Sequence, residues 1–115
     1  MPKNRIKMVS ELKSHRDNIL VVDDNPQNLQ LLESILLKQG YKVRSAKSGS
    51  MAIRSARHKL PDLILLDIRM PEMDGFEVCR ILKDHPETNE VPIIVISALE
   101  APEDKIKAFE SGCID

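Results

Sequence analysis

The amino-acid sequence predicts an α/β protein built on a parallel sheet that helices cover on both faces. Four short apolar runs alternate along the chain with segments that repeat apolar residues at helical spacing, which gives the order β-α-β-α-β-α-β-α. The first, third and fourth runs are apolar throughout, as in strands buried on both faces, whereas the second alternates and suits an edge. A strand order of 2-1-3-4 fits these patterns of apolar and polar residues, and right-handed crossovers then give a doubly wound, flavodoxin-like sheet.

Turn and capping residues indicate where the predicted elements begin and end. Asn25 and Pro26 supply an N-cap and a first-turn proline for the first helix, and Gly40 ends it. The second helix opens at Ser48 and continues until Pro61 stops it. The strands are predicted at residues 18–23, 41–46, 63–66 and 93–96, a third helix after Gly75, and a fourth helix over residues 102–111.

Length and composition indicate one globular domain preceded by a short basic leader. The chain has 115 residues, 42% of them apolar, and a net charge of -1. Residues 1–17 hold five basic and two acidic side chains, so we divide the chain into a leader (1–17) and a domain (18–115). The near-neutral total charge and scarce aromatics argue against nucleic-acid binding, and no run approaches the ~20 apolar residues of a membrane span. We expect a cytoplasmic protein.

Acidic residues end two of the predicted strands, on either side of the point where the strand order reverses. Asp23 and Asp24 close the first strand, Asp67 closes the third, and Ser97 follows the fourth. In sheets of this kind, ligands bind beyond the carboxyl ends of the strands at that switch point. Three carboxylates and a hydroxyl are therefore expected to converge on one pocket.

Such a cluster needs something to offset its charge. Any one of these aspartates alone fits a strand-end or capping role, but two carboxylates ~4 Å apart repel by ~4 kcal/mol at an effective dielectric near 20. A raised pKa or a bound cation relieves the repulsion. Basic residues are scarce in these loops, Arg69 being the exception, so Mg²⁺ is the natural counter-ion. Carboxylates with Mg²⁺ beside a hydroxyl suit phosphoryl transfer, and Asp67, alone at the end of a central strand, is the best-placed nucleophile.

Three motifs resemble those of response regulator receiver domains, the phosphoacceptor domains of two-component signalling. The resemblance runs from about residue 18 to the end of the sequence, and its middle motif is the most specific. The motifs are Ile-Leu-Val-Val-Asp-Asp-Asn at 19–25, Leu-Leu-Asp-Ile-Arg-Met-Pro-Glu-Met-Asp-Gly at 65–75 and Ile-Val-Ile-Ser-Ala at 94–98.

The resemblance implies a role for each matching residue. Asp67 would accept phosphate from a phosphohistidine on a sensor histidine kinase or a histidine phosphotransfer protein. Asp24 would bind Mg²⁺ directly and Asp23 largely through water, with Asp67 and the backbone carbonyl of Arg69 as further ligands. Ser97 would be the hydroxyl that moves toward the phosphoryl group and switches the conformation. The domain would be regulatory rather than an enzyme, with only Mg²⁺-dependent self-phosphorylation and autodephosphorylation.

The sequence also departs from the family's pattern. Receiver domains continue into a fifth strand, which carries a lysine and an aromatic switch residue, and then a fifth helix; this sequence stops at Asp115, before them. We therefore expect weaker compensation of charge at the phosphorylated site. We also expect the fourth strand, Ile93 to Ile96, to form an exposed apolar edge through which two copies dimerise or which the leader covers.

Three alternative functions share part of this chemistry. A phosphatase of the haloacid dehalogenase type also uses an aspartate nucleophile with Mg²⁺, but it needs a second acid where Arg69 stands. A flavin-binding module needs a hydroxyl- and glycine-rich phosphate loop, whereas acidic residues follow the first strand here. The third alternative, a receiver-like module that binds protein partners without being phosphorylated, stays open, and a test of Mg²⁺-dependent phosphate uptake separates it from the switch.

Overall fold

Four parallel strands form one sheet in the order β2-β1-β3-β4, as the apolar and polar patterns of the strands predict. The structure is a computed structural model that describes residues 18–96. Within this range the elements are β1 (Asn18–Val22), α1 (Pro26–Lys38), β2 (Lys42–Ala46), α2 (Gly49–His58), β3 (Leu63–Leu66), α3 (Gly75–Asp84) and β4 (Ile93–Val95).

Strand β1 lies at the centre of the sheet because it pairs with both β2 and β3. Its last residue, Val22, is in register with Ala46 on one side and Leu66 on the other. The residues that follow β1 and β3 therefore leave the sheet side by side. This register carries the acidic residues after each strand to the same edge.

The sheet separates two apolar layers. The larger layer lies beneath α2 and α3, and its fully buried side chains include Leu20, Val22, Ile64, Leu66, Val78 and Leu82. The smaller layer lies beneath α1 and combines Ile19, Val21 and Leu29 with partly buried leucines of α1 and β3. Alternate residues of β1 thus face opposite layers, which explains why this strand is apolar throughout.

Each described helix begins at a polar cap that the sequence supplies. The Asn25 side chain accepts hydrogen bonds from the backbone N–H groups of two residues in the first turn of α1, and Pro26 is the first helical residue. Ser48 caps α2 and Asp74 caps α3, each by accepting one backbone N–H from the first turn. These bonds satisfy donors that have no partner within the helix. At the other end of α1, Gly40 adopts a φ of 96°, a left-handed conformation that favours glycine.

Three elements end earlier than the sequence predicts, and the first of them, β1, ends at Val22 instead of Asp23. Helix α2 stops at His58 instead of continuing to Pro61, and Leu60 is 49% exposed. Part of the reason is Arg44 of β2, whose guanidinium donates to the backbone oxygens of Ser55 and Lys59 and so caps the carbonyl end of the helix. Strand β4 ends at Val95, and Ile94 is 37% exposed at the last strand of the described sheet, whereas Ile93 is buried.

Several predictions fall on residues that the structure does not describe. The basic leader, the fourth helix at 102–111 and Ser97 all lie outside residues 18–96. Among the described helices, none has the length and apolar character needed to cross a membrane.

Candidate metal centre

Backbone hydrogen bonds continue past the ends of the strands and fix the position of the acidic residues. The backbone N–H of Asp23 donates to the carbonyl of Ala46 (3.1 Å), and that of Asp67 donates to the carbonyl of Val22 (2.9 Å). Both aspartates therefore start from backbone that the sheet itself holds. Asp24 follows as the first residue to leave the sheet.

The side chains of Asp23, Asp24 and Asp67 meet at this edge. One carboxylate oxygen from each lies within 4.8 Å of the others. Asp23 is buried, with 4% of its surface exposed, Asp67 is partly buried and Asp24 is exposed. The structure thus brings together the three aspartates that the sequence indicates, in an arrangement whose open side reaches solvent through Asp24.

Asp23 is supported by the first turn of α1. One carboxylate oxygen, Oδ1, accepts the backbone N–H of Asn25 (2.9 Å), and Oδ2 accepts the side-chain amide of Asn28 (3.2 Å). The carboxylate also lies at the N-terminal end of α1, where the helix dipole favours negative charge. Both oxygens are consequently held by donors from the same turn.

The surroundings of Asp67 raise the pKa of its carboxyl group. Burial and the nearby Asp23 carboxylate raise the pKa of Asp67 from 3.8 to about 6, with a hydrogen bond to Asp23 and the charge of Asp24 acting in the same direction. The backbone N–H of Arg69, which donates to Oδ1 of Asp67 at 3.3 Å, opposes this rise. Crowded carboxylates of this kind favour either a proton or a cation. Carboxylate oxygens that are open to water on one side match the oxygen donors and water molecules that Mg²⁺ takes as partners, so these residues fit the metal.

The loop from β3 to α3 has little steric freedom around Asp67. A Cβ on Gly75 would lie 2.6 Å from the carbonyl oxygen of Asp67 and 2.8 Å from the Cα of Ile68, both backbone atoms that cannot move aside. The Gly75 N–H donates to the Ile68 carbonyl (2.8 Å) and closes the loop. Within the loop, Glu72 has a φ of 68°, a conformation that costs energy for any residue other than glycine. The loop is therefore folded tightly against the acidic cluster.

Comparison with known proteins decides the family of the chain. The family described as response regulator receiver domain matches residues 19–115. The chain belongs to this family. The receiver domains of response regulators act in two-component signalling, and this match sets aside the phosphatase and flavin-binding alternatives.

Relatives of this receiver domain differ in how much of their length it covers. It is 50% identical over 97 residues to the response regulator PleD of Caulobacter vibrioides, which is 84% of this chain but 21% of that protein. It is 35% identical over 96 residues to the polar-differentiation response regulator DivK of Brucella ovis, covering 84% of this chain and 78% of DivK. The chain thus spans about a fifth of PleD and most of DivK.

Solved receiver domains share the fold. The receiver domain of a signal transduction histidine kinase from Syntrophus aciditrophicus has a TM-score of 0.79 at 37% identity, covering 84% of this chain and 74% of that one. The receiver domain of a sensor histidine kinase from Pseudomonas aeruginosa has a TM-score of 0.78 at 34% identity, covering 84% of this chain and 80% of that one. The Pseudomonas domain is described with a magnesium ion coordinated in its active-site cleft.

The structure adds one residue to the site of this receiver domain that the sequence did not indicate. Asn28 reaches back from the first turn of α1 to a carboxylate oxygen of Asp23. The sequence feature that could have identified Asn28 is its position three residues after the N-cap, because side chains at that helix position can reach back to the cap. The metal ligation by the Arg69 carbonyl and the switching role of Ser97 stay predictions.

Proposed function

We propose that this receiver domain accepts a phosphoryl group on Asp67 from the phosphohistidine of a sensor histidine kinase or a histidine phosphotransfer protein, and that Mg²⁺ assists the transfer. The observation that carries the proposal is the cluster itself: three carboxylates whose oxygens lie within 4.8 Å of one another. Asp23, Asp24 and Asp67, with the backbone carbonyl of Arg69, would hold the ion. When bound, Mg²⁺ neutralises charge on the carboxylates and on the phosphoryl oxygens.

The residues of the chain have distinct parts in this transfer. A carboxylate oxygen of Asp67 forms the new bond to phosphorus, while the bond between phosphorus and the donor imidazole nitrogen breaks and its electron pair stays with the imidazole. The Arg69 N–H holds Oδ1 of Asp67 at 3.3 Å and so restricts the rotation of the carboxylate. With a pKa of about 6, Asp67 is mostly ionised at neutral pH, which the attack requires.

The same proposal gives the domain a regulatory output rather than a catalytic turnover. Its own chemistry would be limited to self-phosphorylation from small phosphodonors and slow autodephosphorylation, both dependent on Mg²⁺. Ser97 would then follow the phosphoryl group and switch the conformation. We place the protein in the cytoplasm, where histidine kinases present their phosphohistidine.

The edge of β4 supports a further contact between copies of the chain. Ile94 is an apolar residue that is 37% exposed on β4, the last strand of the sheet within residues 18–96, and apolar strands at the edge of a sheet can pair with another chain. We propose homodimerisation through this edge. Light scattering coupled to size exclusion should show a dimer that Ile94→Lys converts to a monomer, and a wild-type monomer at high concentration would contradict the contact.

Intact-mass spectrometry after incubation with acetyl phosphate and Mg²⁺ tests the phosphoacceptor function. The wild type should gain the mass of one phosphoryl group, and the gain should vanish with a chelator and in Asp67→Asn. Asp84→Asn is the matched control, because Asp84 is an exposed aspartate at the end of α3 and far along the chain from the cluster. A wild type that stays unmodified while Mg²⁺ is present would favour a module that only binds protein partners.

A further inference from the structure

We infer that Asn28 is a positioning residue that holds the Asp23 carboxylate in place for metal binding. This inference rests on the proposed function, because it concerns the same cluster. Asn28 lies in the first turn of α1, three residues after the Asn25 cap, and donates its side-chain amide to Oδ2 of Asp23 at 3.2 Å. Asp23 itself is 4% exposed, so few water molecules can replace that donor.

The bonding around Asp23 shows why the amide matters. Oδ1 is already held by the backbone N–H of Asn25 (2.9 Å), a bond that any residue at that position other than proline would supply. The Asn28 amide is the contact to Oδ2 that depends on the identity of a side chain. Without it, the carboxylate keeps one fixed oxygen and gains freedom to rotate about that oxygen. The amide therefore sets the plane of the carboxylate.

The choice of residue at this helix position supports the same conclusion. A third helical residue is commonly Glu or Gln, whose side chain bonds back to the N–H of the cap. Here the N–H of the Asn25 cap already donates to Asp23, so a side chain that donates is needed instead. The first turn of α1 contains no acidic residue, although the helix dipole favours one there. A donor at position 28 avoids adding a fourth carboxylate and supports the existing one.

Free rotation of Asp23 would also change its interaction with Asp67. A carboxylate oxygen of Asp23 lies within 4.8 Å of one from Asp67. By holding Oδ2 on the side of α1, Asn28 keeps the Asp23 carboxylate from turning fully onto Asp67. This keeps the two carboxylates apart, as a cation bound between them would require.

Calorimetric titration of the full chain with Mg²⁺ tests this role. Asn28→Ala should weaken Mg²⁺ binding about tenfold, the lower end of the range for residues that orient metal ligands, because Asn28 itself is exposed. Gln30→Ala is the matched control, since it removes an exposed amide from the same helix without touching the cluster, and it should leave the affinity unchanged. Phosphorylation of Asn28→Ala should recover when Mg²⁺ is raised to saturation.

Thermal unfolding without Mg²⁺ separates positioning from a purely structural role. A structural role predicts a lower unfolding midpoint for Asn28→Ala with an unchanged Mg²⁺ affinity, and that result would overturn the inference. Asn28→Leu keeps the size of the side chain but removes the donor. It should show the same loss of Mg²⁺ affinity, and it replaces the alanine variant if that variant folds poorly. A wild type that fails to bind Mg²⁺ would refute the proposed function together with this inference, whereas equal binding by wild type and both variants refutes the inference alone.

Discussion

Replacing Asp67 with asparagine should stabilise the metal-free protein near neutral pH. The pKa of Asp67 is raised from 3.8 to about 6, first because burial removes water from the carboxylate and then because the Asp23 carboxylate repels it. The ionised form is therefore disfavoured in the folded chain relative to the unfolded chain. Asparagine has nearly the same shape, carries no charge, and keeps an amide that can donate to Asp23.

The sign follows from counting bound protons. Asp67 retains its proton up to about pH 6 in the folded chain but only up to about pH 4 when unfolded, so the folded state binds more protons between these values. Stability must then fall as the pH rises through this window, and the full cost of the charge is present above about pH 7. The Asp67→Asn variant carries no such cost at any pH, so it should exceed the wild type at neutral pH and approach it below pH ~4.

The size of the effect can be bounded from the same pKa. A difference slightly above two pH units corresponds to about 3 kcal/mol, since each unit is worth about 1.4 kcal/mol. Water and salt reach the partly exposed Asp67 and screen the interaction, so roughly half of that value, about 1–2 kcal/mol, should be measurable. For a domain of this size the gain corresponds to an increase of about 4–8 °C in the unfolding midpoint.

Thermal unfolding followed by far-UV circular dichroism, with a chelator present, measures this gain. The Asp67→Asn variant should unfold about 4–8 °C above the wild type at pH ~7.5, and the difference should shrink toward zero at pH ~4. Glu90→Gln is the control, because it removes an exposed carboxylate outside the cluster and should change the midpoint little. A variant that matches or falls below the wild type at pH ~7.5 would refute the reasoning, and so would a gain that is independent of pH.

Three further substitutions test how the loops and helices around the site are held. Gly75→Ala should lower the free energy of unfolding, measured in urea, by about 2 kcal/mol or more, because the new Cβ would lie 2.6 Å from the Asp67 carbonyl oxygen. A loss below about 0.5 kcal/mol would contradict that contact. Thr88→Val should cost about 1–2 kcal/mol in the same assay, because the buried hydroxyl donates to the Leu82 carbonyl at 2.6 Å, and an unchanged midpoint would show that this carbonyl has another partner. Asp74→Ala should lower the thermal midpoint through the loss of about 1 kcal/mol of capping of α3, whereas Asp74→Ser should retain most of it.

The strand order was predictable because the burial of a strand determines its pattern of apolar and polar residues. Strand β1 is apolar at consecutive positions since its alternate residues face two different layers, and helices cover both layers at the middle of the sheet. The alternation of β2 identified it as an edge for the opposite reason, and within residues 18–96 it pairs with β1 alone. Composition along a strand therefore carries information about its neighbours as well as about its own conformation.

The position of the acidic cluster was predictable from the same topology. Once β1 and β3 are adjacent and parallel, Asp23 and Asp67 must leave the sheet at one edge, and their backbone bonds to Ala46 and Val22 show this directly. The unequal burial of the carboxylates was not predictable, because it depends on how far each side chain turns from the sheet. Only the structure shows that Asp23 is buried while Asp24 is exposed.

Features that depend on contacts distant in sequence were missed. The early end of α2 involves Arg44, which lies eleven residues before Ser55 and bonds to its carbonyl from a neighbouring strand. No pattern within the helix itself reveals that cap, and the apolar Leu60 extended the predicted helix beyond it. The φ of 68° at Glu72 is also invisible to residue preferences, because glutamate is uncommon in that conformation.

The hydrogen bonds around Asp23 and the raised pKa of Asp67 both suit the proposed chemistry. Asp23 accepts a hydrogen bond from α1 or its cap on each oxygen, at 2.9 and 3.2 Å, and the backbone N–H of Arg69 donates to Asp67 at 3.3 Å. Burial and the neighbouring carboxylates raise the pKa of Asp67 to about 6. A bound cation would favour the ionised form of Asp67, which is the form that attacks phosphorus. The fold thus fixes the Asp23 carboxylate beside the residue that is proposed to form the new bond.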